Sequence, residues 1–361
     1  MMSTYSVEFK AVSKFFGEMA AVKQVDLQVR KGEFFSLLGP SGCGKTTSLR
    51  MIGGLANPDE GDVFINNVRV NDVPSYERDS SIVFQNLALF PHMTVAQNIA
   101  FGLKLRKVPR DQIKAKVSEM LDLVQLFGLE KRRPDQLSGG QQQRVAVARS
   151  LVLQPEVLLL DEPLAALDRK LRKEMQIELR RIQRDVGITF IYVTHDQKEA
   201  LSMSDRVAVM KDGVIAQLGS PQEIYEHPRT RFVADFMGAG NVFDANINQQ
   251  NDEQFTMRTQ HGLDVLASIG KTLESDPIGF SVRPEAVQMM LENEKPVLGN
   301  AHQGKVISLM YLGDVIEVEV ALDGGDRFVA FVNTTSRSTK VEEGQTVWIA
   351  WSEQDSNLLL A

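Results

Sequence analysis

The chain has 361 residues, 43% hydrophobic and 24% charged, with 40 Lys and Arg against 47 Asp and Glu for a net charge of −7. Such a composition excludes a disordered or collagen-like chain, and the length fits two or three domains with cores of their own. Apolar runs such as Val157–Leu160 fall far short of the ~18 residues a membrane-spanning helix needs, and the single cysteine, Cys43, excludes an intrachain disulfide.

In chain order, Phe34–Leu38 predicts a short buried strand that ends in a glycine-rich stretch, and a helix over Ser48–Leu55 follows, stopped by Asn57-Pro58-Asp59. Ser81–Phe84 predicts another strand. Pro109–Leu126 reads as an amphipathic helix, since Ile113, Val117, Met120, Leu121 and Val124 fall on one face, with Gly128 at its end. Gln141–Leu153 predicts a buried helix closed by Pro155. Two buried strands, Val157–Leu160 and Ile188–Val193, flank a basic helix over Arg169–Asp185. Val207–Met210 and Val214–Leu218 make a hairpin about Asp212-Gly213. Strands alternating with helices imply an α/β domain with a largely parallel sheet.

The texture changes near residue 236, where Gly238 and Gly240 mark a linker. Residues 1–236 hold 32 basic and 29 acidic residues, and residues 237–361 hold 8 and 18, so the balance moves from +3 to −10. Short β-like segments follow at 241–247, 254–258, 279–283, 305–312, 315–322, 327–332 and 346–351, which suggests a small barrel or sandwich. The acidic balance argues against nucleic-acid binding by this part. The N-terminus MMSTYSVEFK has no apolar core of a secretory signal, and a reducing compartment fits.

Gly39-Pro40-Ser41-Gly42-Cys43-Gly44-Lys45-Thr46 satisfies G-x-x-x-x-G-K-[ST] between a predicted strand and a predicted helix. Backbone N–H groups and a helix N-terminus wrap phosphate in such a loop. Lys45 neutralises phosphate charge, the Thr46 hydroxyl suits Mg²⁺, and Thr47 can donate to a further phosphate oxygen. Asp161 and Glu162 end a buried strand, where open α/β sheets present their ligands. Asp161 suits an Mg²⁺ shell and Glu162 suits general-base work on an attacking water. His195 follows a strand, where it could reach a γ-phosphate or, as a lone His there more often does, serve a structural role in the core, and Gln85 also follows a strand, where a lone Gln carries almost no information. Leu137-Ser138-Gly139-Gly140-Gln141 starts a helix that Ser138 can cap, leaving N–H groups for a second anion.

The order Lys45, Gln85, Ser138, Asp161-Glu162, His195, with gaps of 40, 53, 23 and 33 residues, resembles the ATP-binding-cassette ATPases over residues 1–236. The resemblance implies an α/β phosphate-loop cassette with a helical subdomain at about 86–155, binding ATP and Mg²⁺. It implies that Lys45, Thr46 and Thr47 hold phosphates and metal, and that Gln85 couples the metal site to a transmembrane partner. Ser138, Gly139, Gly140 and Gln141 would engage ATP held by a second copy. Glu162 would be the catalytic base and His195 the γ-phosphate contact. Phe16, ahead of Gly17, is the candidate adenine-stacking residue, with Phe15 as fallback and core packing as the competing role for either. Leu89, Phe90 and Met93 are candidates for a groove that receives a permease helix, or are ordinary core. Ala165 stands where the family often has Ser, so a hydroxyl contact across the dimer is expected to be missing, whereas Asp168 is retained.

Residues 237–361, with Val282-Arg283-Pro284-Glu285, resemble the all-β TOBE domain of importer ATPases, which is built from small oligonucleotide-binding-type barrels. The run Arg169–Leu201 and the ending around Trp351 most resemble the subfamily serving polyamine, iron, sugar and thiamine importers, its polyamine members above all. This implies a peripheral homodimer on the cytoplasmic face of the inner membrane, two permease subunits, a solute-binding protein reached through them, and ATP hydrolysis that drives uptake. A soluble cassette acting on DNA or ribosomes is the rival from another class. Against it, only 93 residues separate Lys45 from Ser138, with no room for a long coiled coil, and there is one cassette in the chain.

Overall fold

The computed structural model describes residues 4–250, 254–268, 276–292, 296, 298–334 and 341–360, in two compact units, Met1–Pro221 and Gln222–Ala361. Part of the N-terminus judged free of a secretory signal, residues 1–3, lies outside the described residues.

The first unit opens with β1 (Tyr5–Phe16), β2 (Met19–Arg30), β3 (Phe34–Leu38), α1 (Lys45–Ile52), β4 (Glu60–Ile65), β5 (Val68–Arg69) and β6 (Ser80–Val83). It continues with α2 (Val95–Leu105), α3 (Arg110–Leu123), α4 (Gly139–Leu151), β7 (Val157–Asp161) and α5 (Arg169–Val186). It ends with β8 (Thr189–Thr194), α6 (Gln197–Met203), β9 (Arg206–Lys211) and β10 (Val214–Gly219). Among the described residues the central sheet has the order β10-β9-β3-β8-β7-β6, parallel except for the β9–β10 hairpin. Strands β3, β7 and β8 are buried on both faces, which is why they read as unbroken apolar runs. Their alternation feeds two cores. Phe34, Leu158, Leu160, Phe190 and Tyr192 pack with apolar residues of α2, α3, α4 and α5, while Phe35, Leu37, Leu159, Ile191 and Val193 pack with β1, β2 and α1.

A second sheet of the same unit, ordered β2-β1-β4-β5 and antiparallel, was not expected. Bulges explain the miss. Ala11 and Gln24 sit at φ 47° and 44°, and each register shift moves the side chains that follow to the other face, which erases the period of two. The expected helix 109–126 is also shorter. It ends at Leu123 because Gln125 turns left-handed, at φ 54°, so Gly128 belongs to the next turn rather than to the cap.

The second unit contains α7 (Pro221–Glu226) in all but its first residue, then α8 (Arg231–Phe236) and ten strands among the described residues, β11 (Asn241–Gln250), β12 (Gln254–Thr259), β13 (Asp264–Ser268), β14 (Gly279–Val282), β15 (Gln288–Leu291), β16 (Asn300–Tyr311), β17 (Val315–Leu322), β18 (Arg327–Asn333), β19 (Thr346–Trp351) and β20 (Asn357–Leu359). They form two antiparallel sheets, β13-β12-β11-β14-β20 and β15-β19-β16-β17-β18. Both sheets contribute to one core, in which the Phe328 ring lies 4.6 Å from Phe243 and 4.9 Å from Trp351. Strands β13, β15 and β20 escaped the sequence reading, and β20, of three residues, is too short to show a pattern. Helices α7 and α8 lie before the expected boundary at 236, yet α8 and nearly all of α7 group with the β unit. Specific bonds hold them there. Arg283 donates to the carbonyls of Tyr225 and Met237, Asn357 to that of Pro228, and Leu360 N to that of Arg229.

Candidate active site

Strand β3 delivers the glycine-rich loop to the carboxyl edge of the central sheet, between β8 and β9. Gly44 has φ 105°, and a β-carbon there would sit 2.4 Å from the Ala21 carbonyl oxygen, so only glycine fits. The Lys45 ammonium is buried and donates to the Gly39 and Pro40 carbonyls, both at 2.8 Å, which folds the loop round its own lysine. Cys43 lies 3.8 Å from that ammonium, and burial pushes its thiol up from the usual range, so it is an inert filler of the loop. Thr46, in the first turn of α1, donates its hydroxyl to Asp161 Oδ1 at 3.1 Å.

Strands β7 and β8 run parallel with Asp161 opposite Val193, and this register brings the next residues together. Glu162 donates its N–H to the Val193 carbonyl at 3.1 Å. Its backbone is left-handed, φ 44°, a strained state for a residue with a β-carbon, and its carboxylate Oε2 lies 3.3 Å from His195 Nδ1. His195 is more than half exposed, so it is not a satisfied core histidine. Gln85 is exposed two residues beyond β6, at the same sheet edge as Asp161, since Val83 pairs with Leu160. Phe16 and Phe15 are 54% and 41% exposed at the β1–β2 turn, which removes core packing as their role. Lys14 Nζ sits 5.7 Å from the Phe16 ring centre.

Ser138 caps α4, and Gln141 completes a reciprocal capping box by accepting from Ser138 N at 3.0 Å. A β-carbon on Gly139 or Gly140 would meet Leu167 or Leu171, so this corner packs beside the start of α5. Among the described residues no hydrogen bond joins residues 138–141 to residues 39–47 of the same chain.

The ABC transporter family matches residues 22–165, and the TOBE domain matches residues 280–359. The spermidine/putrescine import ATP-binding protein PotA of Thermobifida fusca is 48% identical, with 98% of this chain and 93% of that protein covered. The chain belongs to the ABC transporter family. Its cassette resembles the dimeric ATP-binding cassette MJ0796 in a post-hydrolysis state bound to ADP and Pi, with TM-score 0.53 and 34% identity over 60% of this chain and 98% of that one. It also resembles cbiO1 of Clostridium perfringens, part of the ABC transporter complex cbiONQ, with TM-score 0.57 and 31% identity over 62% and 91%. No described helix of this ABC chain is long and apolar enough to cross a membrane.

Behind the edge of the ABC cassette lie residues that sequence reasoning missed. Glu199 is buried and accepts from Tyr192 and Thr194 hydroxyls at 2.6 and 2.7 Å, which steadies the strand end that carries His195. Arg172 donates to the Leu167 carbonyl at 3.0 Å and to Asp196 at 3.4 Å, and it lines one small cleft with Glu162, Ala165 and His195. It therefore ties the loop that follows Glu162 to the loop that carries His195. Asp168 caps α5 through Lys170 N and Leu171 N. A basic helical run hides a bridging arginine, because its neighbours Lys170 and Lys173 have the same composition and face water.

The metal fit of this ABC site can be judged from its donors. Thr46 hydroxyl, Asp161 carboxylate and Gln85 amide are all oxygen donors, the hard set that Mg²⁺ selects while keeping waters and phosphate oxygens. Burial raises the Asp161 carboxyl above the ordinary carboxylate range, against the Thr46 bond that lowers it. A carboxyl raised on folding costs stability where it is ionised, so the cost is absent below the unfolded range and full above the raised one. Asp161→Asn keeps an oxygen for Thr46 and removes that cost. The unfolding midpoint of the metal-free chain should rise by about 1–3 °C near neutral pH, and the gain should shrink on acidification. Melting curves across pH check this, and a midpoint lowered at neutral pH would show that the carboxylate is well solvated.

Proposed function

We propose that this chain is the ATP-hydrolysing subunit of a binding-protein-dependent importer of polyamines, spermidine or putrescine, at the cytoplasmic face of the inner membrane. The observation that carries the reading is the convergence of the phosphate loop, Asp161, Glu162 and His195 on one sheet edge in a chain 48% identical to a spermidine/putrescine import ATP-binding protein over nearly its whole length. The substrate is ATP. The N–H groups of Gly39 and of Ser41–Gly44 cradle its phosphates with Thr47, Lys45 leaves the Gly39 and Pro40 carbonyls to neutralise their charge, and Phe16 stacks on adenine. Thr46, Asp161 and Gln85 would hold Mg²⁺, which when bound would supply charge neutralisation for the transferred phosphoryl group. Glu162 accepts the proton of the attacking water, and His195 contacts the γ-phosphate while its Nδ1 faces Glu162.

Ser138–Gln141 stand apart from the phosphate loop of their own chain, so they serve the nucleotide of a second copy. A homodimer would thus enclose two ATP molecules and close on binding them. The motor function belongs to the first unit, with the helical subdomain at about 86–155. Gln85 and the neighbouring Leu89, Phe90 and Met93 face two permease subunits, and residues 237–361 form the TOBE regulatory domain. No part binds nucleic acid. Reconstitution of the chain with its permease pair and solute-binding protein in vesicles tests the reading. Spermidine or putrescine should raise ATP turnover by at least about fivefold. Stimulation by iron(III), a sugar or thiamine would redirect the solute, and failure of the chain to copurify with any membrane subunit would sink the importer role.

A further inference from the structure

The loop between β6 and α2 holds two consecutive residues with β-carbons in left-handed conformations, Leu87 at φ 58° and Ala88 at φ 44°. Two such residues in succession persist only where their surroundings over-determine them. Arg149, in the last turn of α4, supplies the determinant. One guanidinium nitrogen donates to the Ala88 carbonyl at 2.6 Å and the other to the Leu87 carbonyl at 2.9 Å. The guanidinium also lies 5.5 Å from the Phe90 ring centre. Phe90 is itself fixed by the Phe101 ring at 4.5 Å, and Asn98, fully buried on α2, accepts from its N–H and donates to its carbonyl. Among the described residues no carboxylate pairs with Arg149. Its charge is spent on two backbone carbonyls and an aromatic face.

A planar fork matches two successive carbonyls, and an ammonium does not. The other end of α4 is Ser138–Gln141, and thirteen helical residues make a stiff rod about 20 Å long between the two ends. We infer that Arg149 is a positioning residue that locks the strained turn of the Gln85 loop to the LSGGQ helix, so that a shift of α4 is delivered to residues 85–93. This deepens the functional reading above and rests on it. Engagement of a partner's nucleotide at one end of α4 moves the permease-facing loop at the other.

The test uses the full chain with Arg149→Met and Arg149→Lys. In the isolated chain, amide exchange over residues 86–94 should quicken by about tenfold in Arg149→Met, with exchange in β3 and β7 unchanged. In the reconstituted transporter, solute-stimulated turnover should fall by about tenfold while KM for ATP stays within about twofold, and Arg149→Lys should recover only a small part. Full recovery by lysine, or stimulation within about twofold of the parent in Arg149→Met, overturns the inference. So does a uniform rise in exchange across the unit, which marks a merely structural role. A parent chain that hydrolyses ATP and responds to no membrane subunit would unseat the functional reading instead, and exchange over 86–94 would still decide whether Arg149 sets the loop.

Discussion

Glu162→Gln should lower ATP turnover by about 10² to 10⁴-fold while ATP binding survives. The amide has the shape of the carboxylate and still offers an oxygen to His195 Nδ1, now 3.3 Å from the carboxylate, so the geometry of the edge is kept. The left-handed backbone at φ 44° is the same cost for either residue. What disappears is the capacity to take a proton from water. On the function proposed above, nucleotide binding rests on other groups, chiefly the phosphate loop, and a dimer closed by ATP should accumulate because hydrolysis cannot reopen it. Turnover and nucleotide-dependent dimerisation, measured side by side on the purified chain, check the prediction. Retained turnover would move the base elsewhere, with His195 as the next group at that edge.

Lys45→Ala should lower kcat/KM for ATP by at least about 100-fold, with loss of binding as well as of turnover. Two effects on the fold oppose each other. Gly39 and Pro40 carbonyls lose charge-assisted donors at 2.8 Å, and a buried ammonium no longer has to be desolvated. The unfolding midpoint should therefore move by only about 2–4 °C while ATP affinity collapses, so fold and function separate in this variant. Titration with a fluorescent ATP analogue and a melting curve on the same sample measure both. A variant that binds ATP as the parent does would remove Lys45 from the phosphate contacts.

These two substitutions act on residues legible in the amino-acid order, Lys45 because its motif is local and Glu162 because it ends a buried strand in a chain that carries that motif. A glycine loop between a strand and a helix needs nothing from elsewhere in the chain to be recognised. The buried strands β3, β7 and β8 were equally legible, since burial on both faces leaves a continuous apolar run. The cap at Ser138 announced a helix start for the same reason. Where local pattern was broken, reading failed. The β1–β2–β4–β5 sheet was hidden by bulges, and β20, of three residues, by its shortness.

The sequence by itself determined the glycine loop between a strand and a helix, the carboxylates at a strand end, the two-part architecture and the family resemblance. Only the tertiary structure decided which side chains face each other across elements distant in the chain. Parallel register sets Glu162 against His195, the packing of α5 sets Arg172 against Asp196, and α4 packing sets Arg149 against Leu87 and Ala88. The hydrogen bonds of Arg283, Asn357 and Leu360 hold α8 and all of α7 but its first residue with the β unit, where composition alone marked the break at residue 236. The physical reason is range. Capping, turns and burial periodicity act within a few residues, whereas an arginine's partner or a helix's resting place depends on which surfaces pack together once the chain has folded.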